Sequence, residues 1–228
     1  NMNTKLHNIK YTIAFFLFAL LFSFQNQAFC SIVIANGLTH IHEVEEGQVV
    51  RGYIEIQNAG FDKQAVRVYQ KDYSFSHDGA VFYDEPNSKE RSNADWIDYS
   101  PAYLELDPQQ KSVINYEITI PKGQELLGSY WSVLMVEGIL PVNPALPQSG
   151  LNISTIMRYA IQIATNIGDS GTNNLEFVEA KLDKIDGQKV GSVALINNGE
   201  RLLIPEVSIE LFDMEGQSVR VIKSAKKK

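Results

Sequence analysis

Cysteine is almost absent from this sequence, because the 228 residues contain a single one, Cys30. An intrachain disulfide needs two thiols, so a disulfide framework is excluded. If the segment that ends at Cys30 is removed, as argued below, the remaining chain also lacks a thiol for nucleophilic catalysis. The fold must then be stabilised by its apolar core.

Positive charge is scarce as well. Lys and Arg total 20 against 27 Asp and Glu, which gives a formal net charge of -7. A nucleic-acid partner needs clustered cations to neutralise phosphates, and the one basic cluster, 223–228, is typical of a solvated terminal tail. We therefore predict no nucleic-acid partner.

Catalytic motifs are missing too. The sequence has no Gly-x-Ser-x-Gly elbow, no Gly-rich phosphate loop and no His-Glu-x-x-His. We predict that the protein is not an enzyme, with no catalytic residues and no cofactor.

Two weaker patterns raise the question of a metal. His40 and His42 stand two apart on a predicted strand and so share a face, but spacing fixes no third ligand. An exposed polar edge is the favoured interpretation, with a metal site as the alternative. Four acidic residues lack the order of an EF-hand, so a solvated acidic loop is favoured over a calcium site: Asp72, Asp78, Asp84 and Glu85. We predict no metal.

Long apolar runs are limited to one, Tyr11 to Phe24, which follows Lys5 and Lys10. It is too short to span a bilayer as a helix and is typical of the apolar part of a secretory signal. We predict a signal peptide at 1–30, cleaved before Ser31. The mature protein is then exported, to the periplasm or to the extracellular space or cell surface, with no membrane span. Lipidation of Cys30 is the less favoured alternative.

What the sequence does have is period-two alternation. In the stretch 113–120, Ile114, Tyr116, Ile118 and Ile120 interleave with mostly polar residues, which is typical of a half-buried strand. The stretch 129–136 is apolar on both faces. Together they predict two sheets packed face to face, an all-β sandwich. Further strands are predicted at 31–35, 38–44, 49–57, 64–73 (with Val66, Val68 and Tyr69 as inward candidates), 80–83, 151–163, 175–182, 189–196 and 207–212.

Domain organisation follows from the turn-forming composition. The first sandwich is predicted at 31–167 and a linker at 168–174, which is rich in Gly, Asn and Ser. Residues 175–228 hold about four strands, fewer than the roughly seven of a sandwich, so we expect a partial second β-sandwich domain and a truncated chain.

Several motifs resemble those of the PapD-like periplasmic chaperones of pilus assembly. They are the Gln57-Asn58 turn, Pro101 with 104–109, the strand end 118–121, Tyr130-Trp131, the proline-rich loop 138–150 and the long strand after it. The segments 193–197 and 211–216 resemble the start of that family's second domain. The resemblance implies an immunoglobulin-like (PapD-like) β-sandwich followed by an incomplete second one.

The resemblance also implies a mechanism, donation of an edge strand to an incomplete pilin-like client. Leu151, Ile153, Thr155 and Met157 have the alternating pattern that a donated strand needs. The alternative, that this face packs in the protein's own core, stays open.

The family further holds the client carboxylate with two cations. Arg158 is the candidate for one, whereas His40 and His42 stand near the place of the other. The alternative function from another class is a structural or adhesion module of the cell surface or cell wall.

Overall fold

The computed structural model describes residues 32–76, 79–139 and 156–223. The predicted signal peptide lies outside these residues. In the described part of the chain, no helix is long and apolar enough to cross a membrane.

The described structure is built from strands, which confirms the predicted all-β sandwich. The first sheet has the order β1 (Ile32–Ile34), β3 (Val49–Asn58), β8 (Lys111–Thr119) and β6 (Ile97–Ser100). The second sheet has the order β2 (Thr39–Val44), β10 (Arg158–Ile167), β9 (Gly128–Ile139), β4 (Gln64–Phe75) and β5 (Val81–Asp84), and β7 (Tyr103–Leu106) also pairs with β4.

The core lies between the two sheets and follows the alternation of the sequence. Ile114, Tyr116 and Ile118 of β8 are buried there, as predicted. They pack with inward residues of the other sheet, including Leu134 and Ile161. Each such aliphatic side chain contributes about 1.5–3 kcal/mol to folding relative to its exposed state.

Strand β9 is buried on both faces, as predicted. Leu134 and Val136 belong to the core, and Val133 and Met135 on the opposite face are equally inaccessible. In β4 the inward prediction is confirmed for Val66 and Val68. For Tyr69 it is wrong, because the period of two places its side chain on the outer face.

The N-terminal segment changes sheets. Strand β1 pairs antiparallel with β3, and β2 pairs parallel with β10 in the opposite sheet. Between them Gly37 has φ +90°, a conformation that glycine adopts without strain. The Asn36 side chain holds the segment that passes from one sheet to the other. Its Nδ2 donates to the Tyr53 carbonyl at 2.7 Å, and its Oδ1 accepts from the Glu55 backbone amide at 2.9 Å.

The last strand of the sandwich differs in extent from the predicted 151–163. Strand β10 begins at Arg158 and continues to Ile167, because its pairing with β9 and β2 extends that far. Ile156 and Met157 precede it and are not part of the strand. Residues 151–155 lie outside the described residues.

The stretch 74–98 is an excursion that contains β5, close to the strand predicted at 80–83, a 3-10 turn at Ala94–Trp96 and the start of β6. Trp96 packs against the core, with its ring 4.8 Å from that of Tyr130.

Beyond the sandwich lie two antiparallel hairpins. Strands β11 (Leu175–Ile185) and β12 (Gln188–Asn197) form one, and β13 (Ser208–Phe212) and β14 (Ser218–Lys223) form the other. A mainly apolar cleft of about 560 Å³ lies between them, lined by residues that include Leu182, Val193, Ile209, Leu211 and Ile222. The domain boundary at 168–174 stays a prediction.

Candidate functional site

One edge of β10 is paired with a described strand along only part of its length. Strand β2 pairs with β10 from Gln162 to Ile167, whereas no described strand pairs with the preceding four residues, 158–161, on that side. On its other side β10 pairs with β9 along its whole length. The segment 158–161 is called the open edge below.

The direction of the backbone groups follows from two hydrogen bonds. The Gln162 amide donates to the Leu38 carbonyl at 2.8 Å, toward β2, whereas the Met157 carbonyl accepts from the Gly138 amide at 3.1 Å, toward β9. Because these directions alternate along a strand, Arg158 and Ala160 present their N–H and C=O groups at the open edge. N–H and C=O groups at a strand edge can form backbone hydrogen bonds with an additional strand.

The inward side chains of β10 show which part of this strand packs in the protein's own core rather than being available to a client. Ile161 and Ile163 are fully buried in the protein's own core, and the Tyr159 hydroxyl donates to the Ile32 carbonyl at 2.6 Å. Among the predicted donor residues, Met157 is 38% exposed. The other three, Leu151, Ile153 and Thr155, lie outside the described residues, so their role stays a prediction.

Arg158 is bonded within the chain. Its Nε donates to Glu137 Oε2 at 2.7 Å, and the other oxygen of that carboxylate accepts from Arg67 Nη2 at 2.7 Å. The Tyr69 hydroxyl donates to Oε2 at 2.6 Å. Arg158 stands at the start of β10, roughly 30 Å from Ile167 at the strand's other end. Its predicted role as a carboxylate anchor is untested by this geometry.

Glu137 is the most buried member of this cluster, with 5% of its surface exposed. Burial by itself would raise the pKa of Glu137, but the hydrogen bonds from Tyr69, Arg67 and Arg158 outweigh it and lower the pKa below the usual value. The carboxylate is therefore ionised at neutral pH and neutralised by two guanidinium groups.

His40 and His42 share a face, as their spacing predicts, and both reach the same phenol. His40 Nδ1 and His42 Nε2 lie 2.8 Å and 3.0 Å from the Tyr116 hydroxyl. Burial lowers the pKa of both histidines and raises the pKa of Tyr116 to about 12. The favoured interpretation of an exposed polar edge is wrong in one respect, since the imidazoles turn inward and are half-buried.

The acidic residues of the excursion have protein partners. Asp72 is buried and accepts from the Ser92 hydroxyl at 2.6 Å and the Lys89 amide at 2.9 Å. Asp84 pairs with the Lys89 ammonium, and Glu85 with Lys71, while Asp78 lies outside the described residues. Among residues 32–76, 79–139 and 156–223, no cluster of three His, Cys, Asp or Glu side chains could hold a metal.

The far end of the sandwich contacts the loop after β12. The Glu200 carbonyl accepts from the Ser129 amide at 2.8 Å, and Ser129 Oγ accepts from the Leu202 amide at 2.8 Å. Arg201 donates to the carbonyls of Gly168 and Ser170 at 3.0 Å each. Part of the predicted linker is thus hydrogen-bonded to this loop.

Sequence reasoning missed the Glu137 cluster because its members are distant in sequence. The pairing register of β4, β9 and β10 places Arg67, Glu137 and Arg158 side by side on these three neighbouring strands. The available signal was a single acid at the end of an otherwise apolar strand, which indicates a buried charge that needs cationic partners.

Comparison with solved structures finds chains of similar fold at low sequence identity. No protein-family model and no curated protein matches the chain. A structure of the Salmonella enterica SafA pilin in complex with the SafB chaperone matches with TM-score 0.47 and 10% identity, over 87% of this chain and 97% of that chain. The E. coli chaperone DraB matches with TM-score 0.44 and 11% identity, over 86% and 97%.

The likeness is one of fold. A family 123 glycoside hydrolase from Clostridium perfringens also matches, with TM-score 0.38 and 12% identity, over 58% of this chain and 23% of that chain.

Proposed function

We propose that this chain is an exported, non-enzymatic chaperone that assists the assembly of pili or other surface fibres. It binds an incomplete subunit by offering the edge of β10, together with the residues just before it, as an additional strand. The client is a protein whose own sheet lacks a strand and exposes an apolar groove.

The observation that carries the proposal is the open edge. An edge strand with N–H and C=O groups that lack a strand partner is a template for pairing with another chain. Here β2 pairs with β10 from Gln162 to Ile167, whereas Arg158 and Ala160 direct backbone donors and acceptors to the same side of the strand, where no described strand pairs with them.

The sequence upstream of the open edge supplies the matching side chains. Continuing the alternation of Ile163 and Ile161 backward reaches Met157, Thr155, Ile153 and Leu151. Backbone pairing would give affinity for the client, and apolar side chains at every second position would give specificity. A role of Arg158 in holding a client carboxylate is a second part of the proposal, in which the client competes with Glu137 for the guanidinium.

The test is co-purification from the periplasm of the source organism, with the chain expressed together with its predicted signal peptide. A Leu151→Asp/Ile153→Asp variant places charges on the face that would meet the client, and the expected result is at least a tenfold loss of the recovered subunit. Mass spectrometry identifies and quantifies the partner.

The matched control is Asn152→Asp/Ser154→Asp, which adds the same two charges at the alternate positions. It should retain at least half of the partner. A folded Leu151→Asp/Ile153→Asp chain that retains its partner would exclude strand donation. A wild-type chain that recovers no subunit but binds cells or wall polymer would support the adhesion module instead.

A further inference from the structure

The Glu137 cluster lies at the end of β10 that pairs with β9 but, among the described strands, with no strand on its other side. Cross-strand pairing sets Arg67 of β4 opposite Glu137 of β9, and Glu137 opposite Arg158 of β10. The three side chains therefore form a row across the outer face of the second sheet. Arg158, the last of them, is also the first residue of the open edge.

Stability of the sheet is a poor explanation for a buried charge at this position. The neighbouring outward residues of β9, Val133 and Met135, are apolar and fully buried. An apolar side chain at 137 would avoid the cost of removing a carboxylate from water, a cost that buried ion pairs often fail to recover. The carboxylate instead fixes the orientation of its neighbours, since it accepts hydrogen bonds from side chains of β4 and β10 at the same time.

A strand end with a neighbour on one side only tends to fray. Residues 162–167 of β10 are held by β2 and β9, whereas 158–161 have only β9 among the described strands. Ile161 and Tyr159 are held by the core, but a strand that pairs on one side makes fewer backbone hydrogen bonds and opens at lower free-energy cost. A frayed segment must be ordered again before a partner can pair with it.

We infer that Glu137, with Arg67, Tyr69 and Arg158, is a clip that keeps the open edge in strand geometry before a partner arrives. Glu137 and Arg158 are thereby positioning residues for strand pairing. This role rests on the proposed function for its purpose, but the ordering itself is a property of the free protein.

Amide hydrogen exchange in the free chain, followed by NMR, tests the clip without any client. The Tyr159 and Ile161 amides face β9 within the open edge, and the Ile163 amide, which lies between β9 and β2, is the internal reference. In Glu137→Gln, exchange at Tyr159 and Ile161 should accelerate about tenfold relative to Ile163, because a hydrogen bond to a charged group is lost.

The matched control is Glu117→Gln. It makes the same chemical change in an ion pair between two strands of the first sheet, Arg51 with Glu117 at 2.6 Å, whose side chains are 80% and 39% exposed. Its effect on the same ratio should stay below about twofold, since exposed pairs contribute little. Arg158→Met should reproduce the Glu137→Gln effect, and the two changes combined should add little.

Uniform acceleration at Tyr159, Ile161 and Ile163 would overturn the inference, because it would make Glu137 a general stabiliser. An unchanged ratio in both Glu137→Gln and Arg158→Met would overturn it too. If Glu137→Gln does not fold, Tyr69→Phe removes one donor to the same carboxylate and should give a smaller shift of the same ratio. Failure of the clip is distinct from failure of strand donation, which is measured by client recovery.

Discussion

Two histidines and one phenol meet at the side of the sandwich where β2 crosses β8. Tyr116 has one hydroxyl hydrogen, so it donates to one imidazole and accepts from the other, and this arrangement requires the accepting imidazole to be neutral. Its ring fits because position 52 is glycine, where a Cβ would lie 2.2 Å from the ring. Protonation of that imidazole would leave the hydroxyl hydrogen without its acceptor, and protonation of both would place two half-buried cations side by side.

The stability of the fold should therefore depend on pH. Burial lowers the pKa of His40 and His42 below the unfolded value of about 6.5, so the unfolded chain binds protons that the folded chain does not. We expect the urea midpoint to be constant above about pH 7 and to fall as the pH drops through 6.5 toward 5.

A His40→Gln/His42→Gln variant should lose this slope. His77→Gln, which changes a histidine outside the described residues, should keep it. A slope that persisted in the double variant would assign the titration to other groups. The lowered pKa of Glu137 acts in a separate window, because its contribution is lost only as the pH falls below the usual range of a glutamate.

At the scale of the element, β10 is a strand with two different halves. Its C-terminal half lies between β2 and β9, and its N-terminal half pairs with β9 alone among the described strands. Proline can distinguish these roles because it removes one backbone donor at a chosen side of the strand.

Ala160→Pro removes a donor that faces the open edge and leaves the bonds to β9 intact. We expect the free energy of unfolding to change by less than about 1 kcal/mol, whereas client recovery should fall at least tenfold. Thermal unfolding and the co-purification assay measure the two effects.

Ile161→Pro is the matched control, since its donor faces β9 and its side chain is in the core. It should destabilise the sandwich by at least about 3 kcal/mol. A stable Ala160→Pro chain with normal client recovery would show that the open edge is not used.

The elements that the sequence predicts are those with a clean local period. Strand β8 was predictable because Ile114 to Ile120 alternate, and β9 because both of its faces are apolar. Strands β6 and β7 were not, since four residues each are too short for a period to show and their pairing with β8 and β4 defines them. The open edge was equally hidden, because it depends on where β2 begins along β10.

At the scale of the whole molecule, the sandwich and the loop after β12 are in close contact. Gly128 has φ +74°, and a Cβ there would lie 2.3 Å from the Glu200 carbonyl oxygen. Gly171, from the predicted linker, also approaches Gly128. Two glycines therefore allow backbones to meet where side chains would keep them apart.

Gly128→Ala should destabilise this junction. The left-handed conformation costs an alanine roughly 1–2 kcal/mol, and the clash with backbone adds roughly 1–3 kcal/mol. Limited proteolysis should cut residues 168–174 faster than in the wild type. Gly37→Ala is the matched control, because Gly37 has φ +90° with nothing within 4 Å of a Cβ. Equal cleavage rates in the two variants would show that the junction does not depend on the close approach.

The parallel pairing of β2 with β10 joins segments 123 residues apart, as in the bond from Asn166 to Glu43. Contacts of such long range form late, since the cost of closing the loop precedes the gain from pairing. A chain that emerges N-terminus first therefore completes its sandwich only when β10 arrives. Strand β10, whose edge we propose to meet a client, is thus also the strand that finishes folding. Under that proposal the binding surface is assembled in the last step, and a half-made chain presents none.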